Sequence, residues 1–327
     1  MELSTSSESS PGSGALSEAL SLAMDQEFPA WGILCDPGPA PEWPFFQEWL
    51  REGFHGKLDY MARSANRRQG LSQGYPGMCT LVIGLLFHNF GSPEKKQSVN
   101  IVSHERFAKI ARYAVGPDYH RLFDEAFGRV ITAIRPFLPA TEKPLIKVDH
   151  GALFEKSLAR RAGLGAIGKN TLLIRPGHGS YFTLGSLLLS TPLPSRIDAY
   201  GATEICGGCT RCLDACPTGA LVEPYRLDSR RCLSYLTIER PSDDSLELRK
   251  KFGGEWLFGC DICQEVCPYN AIPPLPETEN AGRLLPVTAS SQELKGFRRR
   301  NGALSRISLT RLDHRLREIR ENESPED

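Results

Sequence analysis

Cys206-Gly-Gly-Cys209-Thr-Arg-Cys212-Leu-Asp-Ala-Cys216-Pro217, answered by Cys260-Asp-Ile-Cys263-Gln-Glu-Val-Cys267-Pro268, decides how this chain is built. Three thiolates at successive two-residue gaps can cap three corners of an iron–sulfur cube from one tight loop. A fourth, three residues on and followed by proline, turns away to a second cube. The second run is one cysteine short, and Cys232 in RRCLSYL can supply it. The arithmetic then closes on two 4Fe–4S clusters. Cys206, Cys209, Cys212 and Cys267 hold the first; Cys216, Cys232, Cys260 and Cys263 hold the second. Zinc is the rival reading, but structural zinc uses separated cysteine pairs, and these crowded runs would waste ligands. PTGAL and PYNAI, which follow the two runs, read as turns that pack over the clusters and bond their sulfurs through backbone amides.

The module so defined is bacterial-ferredoxin-like. Cys35 and Cys79 fall outside it and read as buried free thiols. Disulfides would need an oxidising compartment. The opening MELSTSSESSPGSG is polar, with no basic stretch leading into an apolar one, and the best apolar run, Leu81 to Phe87, suits a strand rather than a membrane span. The expectation is a cytoplasmic chain with reduced thiols and no membrane contact, monomeric by default. Its 327 residues allow two modest domains. A formal net charge of zero gives no global field for polyanions, so nucleic acid would need a local basic patch.

Upstream of the cysteines the pattern is α+β. Residues 1–14 are Ser/Gly/Pro-rich and read as disordered. Helices are predicted at Leu16 to Ala23, Phe45 to Arg51 and Pro117 to Phe137, with Pro117 at an early helical position. SLARRAG should be a helix closed by a left-handed Gly163. Strands are predicted at Trp31 to Cys35, in CTLVIGLLF, at Leu145 to Asp149, in TLLI and in YFTLGSLLLS; CTLVIGLLF is apolar enough to be buried on both faces. The units are residues 15–195, a cysteine-rich module at 196–272, and a partly helical, basic tail with a frayed end at 273–327.

Gly163-Leu-Gly165-Ala-Ile-Gly168-Lys169-Asn170 matches two nucleotide-binding patterns by letter. Both need a strand before and a helix after; here a helix precedes and a strand follows, so the glycines are read as letting backbone approach something bulky and flat. Asp149 closes a strand beside His150-Gly151. In a cleft it could act as a proton donor, but position alone favours a cap or surface aspartate.

VDHGALFEKSLARRAGLGAIGKNTLLI, EICGGCTRCLDACPTGAL, RRCLSYLTIE and FGCDICQEVCPYN, in that order, resemble epoxyqueuosine reductase over residues 16 to 315. The resemblance implies a nitroreductase-like cobalamin-binding domain joined to the two-cluster module. It implies reduction of epoxyqueuosine to queuosine at the tRNA wobble position, an external electron donor, and a partner in the anticodon stem-loop. It makes Asp149 the general acid, overturning the positional reading, and places Arg68, Asn170, Leu173, Leu184, Ser234, Cys260 and Asp261 about the corrinoid. GPDYH (Gly116 to His120) is similar to a family element near the pocket. His150 stands where the family usually has Thr, Ala166 where an aromatic is common, and Lys156 where Arg is usual. RNA would then rest on the core and on patches such as Arg230-Arg231 and Arg298 to Arg300. The alternatives are a reductive dehalogenase-like cobalamin enzyme, which would often carry an export signal, and a non-enzymatic two-cluster electron carrier.

Overall fold

In the computed structural model the described residues are 11–88, 106–200, 204–239, 243–271 and 283–322. The strands in chain order are β1 (Ala30–Cys35), β2 (Thr80–Phe87), β3 (Phe107–Ile110), β4 (Leu145–Lys147), the short pair β5 (Ala166–Ile167) and β6 (Leu173–Ile174), β7 (Phe182–Leu189), the short pair β8 (Leu221–Glu223) and β9 (Arg226–Leu227), β10 (Trp256–Phe258) and β11 (Leu284–Pro286). The apolar run expected to be buried on both faces is β2. It lies inside an antiparallel sheet of order β1-β2-β7-β4. Val82 and Leu187, paired across the sheet, face one core; Leu81, Ile83, Leu85 and Leu188 face another. Each such side chain buried contributes roughly 1.5–3 kcal/mol, which is why the run carries no polar alternation.

Gly84 and Gly185 pair in the middle of this sheet. A Cβ at either would collide with the ring of Phe28 or Phe123, and those rings stack with centroids 5.8 Å apart. The two glycines are therefore a slot that lets the helices Pro11–Glu27 and Tyr119–Ile134 close on the sheet. The second helix buries Tyr119, Phe123, Phe127, Val130 and Ile134 along one stripe, as its helical spacing requires. Its N-cap is Asp118, whose side chain accepts the His120 amide, so Pro117 lies just outside the helix rather than in its first turn. The first helix begins at Pro11, so Pro11 to Gly14 are helical and not disordered; residues 1–10 lie outside the described set.

The tail is the largest departure from expectation. β3 pairs in parallel with β10 from the cysteine-rich module and antiparallel with β11 from the tail. The helices Ser291–Arg300 and Leu309–Glu321 put Leu294, Phe297, Leu312, Leu316 and Ile319 into the first core. The sequence hides this because the outward faces of both helices are so charged. Glu318 accepts from Arg249 at 2.6 Å and Arg315 at 3.0 Å, while Arg315 also reaches the Trp256 carbonyl at 3.0 Å. That buried triad fastens the tail to the cysteine-rich module.

Replacing Glu318 with Ala strands two guanidinium groups in the interior. It should lower stability by about 3–5 kcal/mol, read as a fall in thermal midpoint. A change of the size seen for surface substitutions would show that the helix is not docked.

Candidate functional site

The sheet ends where β2 and β4 stop and β7 starts, and a cavity of about 1190 Å³ opens there. Phe182, Thr183, His88 and Lys147 form that edge; Leu58, Tyr60 and Arg68 close one side, and Cys216, Cys232, Cys260 and Cys263 line another. Arg306, from the tail, also lines it.

β4 ends at Lys147, two residues short of the expected end, because Asp149 takes a left-handed conformation (φ +57°). The turn is held from two sides. Tyr119 donates its hydroxyl to Asp149 Oδ2, and the Asp149 amide donates to Glu155 Oε1 at 3.0 Å. GPDYH therefore aims a tyrosine at the carboxylate, and the N-cap at Asp118 sets the helix start that aims it. Burial pushes the Tyr119 hydroxyl well above its ordinary value, with the charge of Asp149 adding. Burial first, then Asp149, pushes the Glu155 carboxyl up to about 8. Burial pulls the Lys156 ammonium down, opposed by Asp149 and Glu155. Lys156 lines the cavity, so the solvent it meets is cavity water, and its Nζ donates to the Thr171 carbonyl at 2.6 Å.

The thiols fall into two neighbourhoods, and all ten cysteines are unpaired. Burial raises Cys212 and Cys267; the charge of Cys206 adds to both, that of Cys267 to Cys212 and that of Cys209 to Cys267. Burial raises Cys232, with Cys216 adding, and pushes Cys260 up to about 12, with Cys232 adding. Burial also raises Cys263, with Cys232 and Cys260 adding most among the thiols and Cys212 least. Burial acts to raise Cys216 too, but bonds from Thr218 and the backbone of Leu221 and Ala220 hold it below its ordinary value. Crowded buried thiols resist joint deprotonation, so such a set fits a group that brings positive charge of its own, as an iron–sulfur core does. Among the described residues no three His, Cys, Asp or Glu side chains converge to hold a single metal ion.

Of the residues expected about the corrinoid, Arg68, Asp149, Asn170, Ser234, Cys260 and Asp261 line the cavity. Leu173 and Leu184 do not; they belong to the second core, and Leu172 and Thr183 beside them face the space instead. Asp261 is buried and bonded to Arg283 Nη2 at 3.0 Å and the Arg112 amide at 2.8 Å, so it fastens the second cysteine run to β3 and the tail. Arg68 donates to the Leu153 carbonyl at 2.8 Å. None of the three glycines of the GLGAIGKN block lines the cavity. Gly165 serves the β5–β6 hairpin, since a Cβ there would strike the Ile174 carbonyl; a Cβ on Gly163 would strike the Asp198 backbone. Gly163 does close its helix with φ +78°. The basic patches are partly spent: Arg230 is doubly bonded to Asp228, and Arg298 donates to the carbonyls of Leu304, Ser305 and Ile307. Tyr119, Glu155 and Arg306 were not picked out as site residues by sequence reasoning. Only GPDYH carried a signal for one of them.

The geometry defines a cysteine-rich module packed on an α+β unit, with a large cavity against one thiol group. Residues 205–270 match the family model described as a 4Fe-4S double cluster binding domain. A curated relative from Pseudomonas aeruginosa named epoxyqueuosine reductase is 42% identical over 225 residues, 68% of this chain and 60% of its own length. Its Escherichia coli counterpart is 34% identical over 284 residues, 84% of this chain and 73% of its own. The chain belongs to the epoxyqueuosine reductase family. It spans about 60% of the length of the first of these relatives. The crystal structure of an epoxyqueuosine reductase with an epoxyqueuosine-modified tRNA-Tyr stem loop superposes with a TM-score of 0.75 at 24% identity, covering 94% of this chain and 81% of that one, a likeness of fold. Among the described residues no helix is long and apolar enough to cross a membrane.

Two measurements follow from this geometry. Cys216→Ala should lower the iron bound per chain, since its sulfur shares a neighbourhood with Cys232, Cys260 and Cys263; wild-type iron content would break that grouping. A carboxyl raised to about 8, as Glu155 is, stabilises the fold fully below the ordinary carboxylate range. That contribution is lost as pH climbs to about 8. Glu155→Gln should therefore match the wild-type thermal midpoint near pH 5 and exceed it near pH 8; parallel curves would contradict the assignment.

Proposed function

We propose that this chain reduces epoxyqueuosine to queuosine at the wobble position of tRNA, with Asp149 as the proton donor. The observation that carries the reading is one cavity in which a buttressed carboxylate and four grouped thiols share the lining. The ligand sets proposed are Cys206, Cys209, Cys212 and Cys267 for one cluster, and Cys216, Cys232, Cys260 and Cys263 for the other. The first unit is read as a nitroreductase-like cobalamin domain. At about 1190 Å³ the cavity exceeds the roughly 300–1,000 Å³ of ordinary small-molecule pockets, which suits a corrinoid with substrate above it. Arg68, Asn170, Ser234, Cys260 and Asp261 would border the cofactor, with Leu173 and Leu184 backing the wall.

Conversion of an epoxide to an alkene takes two electrons and two protons and releases water. When bound, cobalamin would supply the low-valent electron chemistry. The chain's own residues supply the rest. An alkoxide leaves poorly near neutral pH, so the departing oxygen needs a proton as its bond to carbon breaks. Asp149 would deliver that proton from its carboxyl group. Tyr119 orients the carboxylate, and Glu155 fixes the turn that carries it. Arg67, Arg68, Lys147, Lys156 and Arg306 line the same cavity and suit a phosphate-bearing substrate. The target base would be flipped from the anticodon loop to reach the interior. The electron donor is external.

Asp149→Ala should keep iron and cobalamin content and lose turnover of an epoxyqueuosine-bearing stem loop by about 10²–10⁴-fold. Full activity would exclude Asp149 as the acid. A wild-type chain that reduced a halogenated phenol and left the stem loop untouched would replace this reading with dehalogenation.

A further inference from the structure

In the Gly168-Lys169-Asn170 motif the proposed reaction gives Asn170 a place at the cavity and leaves Lys169 without a role. The motif is neither a phosphate loop nor part of the acid's support, yet it touches both thiol groups. The Lys169 amide points at Cys206 Sγ, with nitrogen and sulfur 3.4 Å apart. The Lys169 ammonium donates to the Gly207 carbonyl at 2.5 Å, and the Lys169 carbonyl accepts the Tyr225 amide at 3.0 Å. Next door, Asn170 Nδ2 lies 3.4 Å from the Cys263 carbonyl oxygen. Lys169 is 9% exposed. Among the described residues no other Lys or Arg side chain hydrogen-bonds to the loop 205–215.

A buried lysine with no carboxylate bonded to it is costly unless some other negative group compensates it. Among the described residues the Lys169 side chain bonds only to a carbonyl, itself the backbone of a residue next to a cysteine. A thiolate-ligated cluster is that negative group. The other thiol group lies beside the cavity, whose lining includes both Asp261 and Lys156.

We propose that Lys169 sets the reduction potential of the cluster held by Cys206, Cys209, Cys212 and Cys267, raising it relative to a chain without this charge. The step is one electron from an external low-potential donor to that cluster. The cluster gains one negative charge and no bond is made or broken. A fixed neighbouring cation, and an amide pointing at a ligand sulfur, favour the more negative reduced state. The inference rests on the two-cluster partition and not on the epoxide reaction, so it stands whatever the cavity reduces.

The test is an anaerobic dithionite titration of the reconstituted full chain, followed by electron paramagnetic resonance. Lys169→Met and Lys169→Gln should each move one of the two reduction waves downward. A tenfold loss in the reduction equilibrium corresponds to about 59 mV for a one-electron couple. The wave that moves should be the one perturbed by Cys209→Ser, and Lys169→Arg should return it toward wild type. Unmoved waves would overturn the proposal. So would movement of the other wave, or an Arg variant that behaves as Met does. If Met and Gln both lost their iron, Lys169 would be a structural strut and the proposal would likewise fall.

Discussion

Each proposed cluster draws ligands from cysteines far apart in sequence, and the rest of the structure answers to that constraint. Cys267 returns to the loop of Cys206, and Cys216 is joined by Cys232, Cys260 and Cys263. A chain meeting both requirements must fold the segment between the runs back on itself. Loop closure of this kind carries an entropic cost that grows slowly with length, and here it is offset by packing outside the loops. β10, just before the second run, joins β3 and so ties the cysteine module to the first unit. Asn270, just after it, accepts the Ser180 amide at 2.7 Å and ties the same module to the start of β7.

This interlocking explains why a linear division of the chain is a poor guide to its parts. Divisions near 195 and 272 follow composition, since the cysteines stop and a charged stretch begins. The three-stranded sheet ignores both, taking one strand from each unit. Charge on the tail helices masks their apolar stripe: Arg311, Arg315, Glu318 and Arg320 are interleaved with Leu312, Leu316 and Ile319. Some of those charges are themselves buried, which a reading of exposed polar faces does not anticipate.

What was legible was local or covalent in spacing. Cysteine intervals report how loops reach a cube, and β2 reports burial on both faces through an unbroken apolar run. The left-handed close at Gly163 is likewise a local requirement. The illegible parts are meetings between distant segments. Nothing in the letters of Tyr119 says that its hydroxyl reaches Asp149, thirty residues away. Nothing about Leu173 says that it turns into a core while Leu172 faces the cavity. The family resemblance singles out Asp149, where position alone argues against it, and the structure shows the Tyr119 and Glu155 bonds that hold its turn.

In the proposed reaction the two ends of the cavity divide the chemistry. Protons belong to the sheet edge, where Asp149, Glu155 and Lys156 follow a strand and open a helix. Electrons belong to the cysteine loops, whose sulfurs carry no acidic hydrogen once ligated. Each set wants an opposite environment: a proton donor wants low polarity about its carboxyl, whereas a cluster that must accept an electron wants positive charge near it. The GLGAIGKN hairpin lies along the boundary, following the helix that Glu155 opens and reaching Cys206 through Lys169. Its glycines make room for the hairpin, and so for a cation held against one thiol loop. The hairpin so keeps the cation at the loop of Cys206, while Asp149 lies on the sheet-edge side of the cavity.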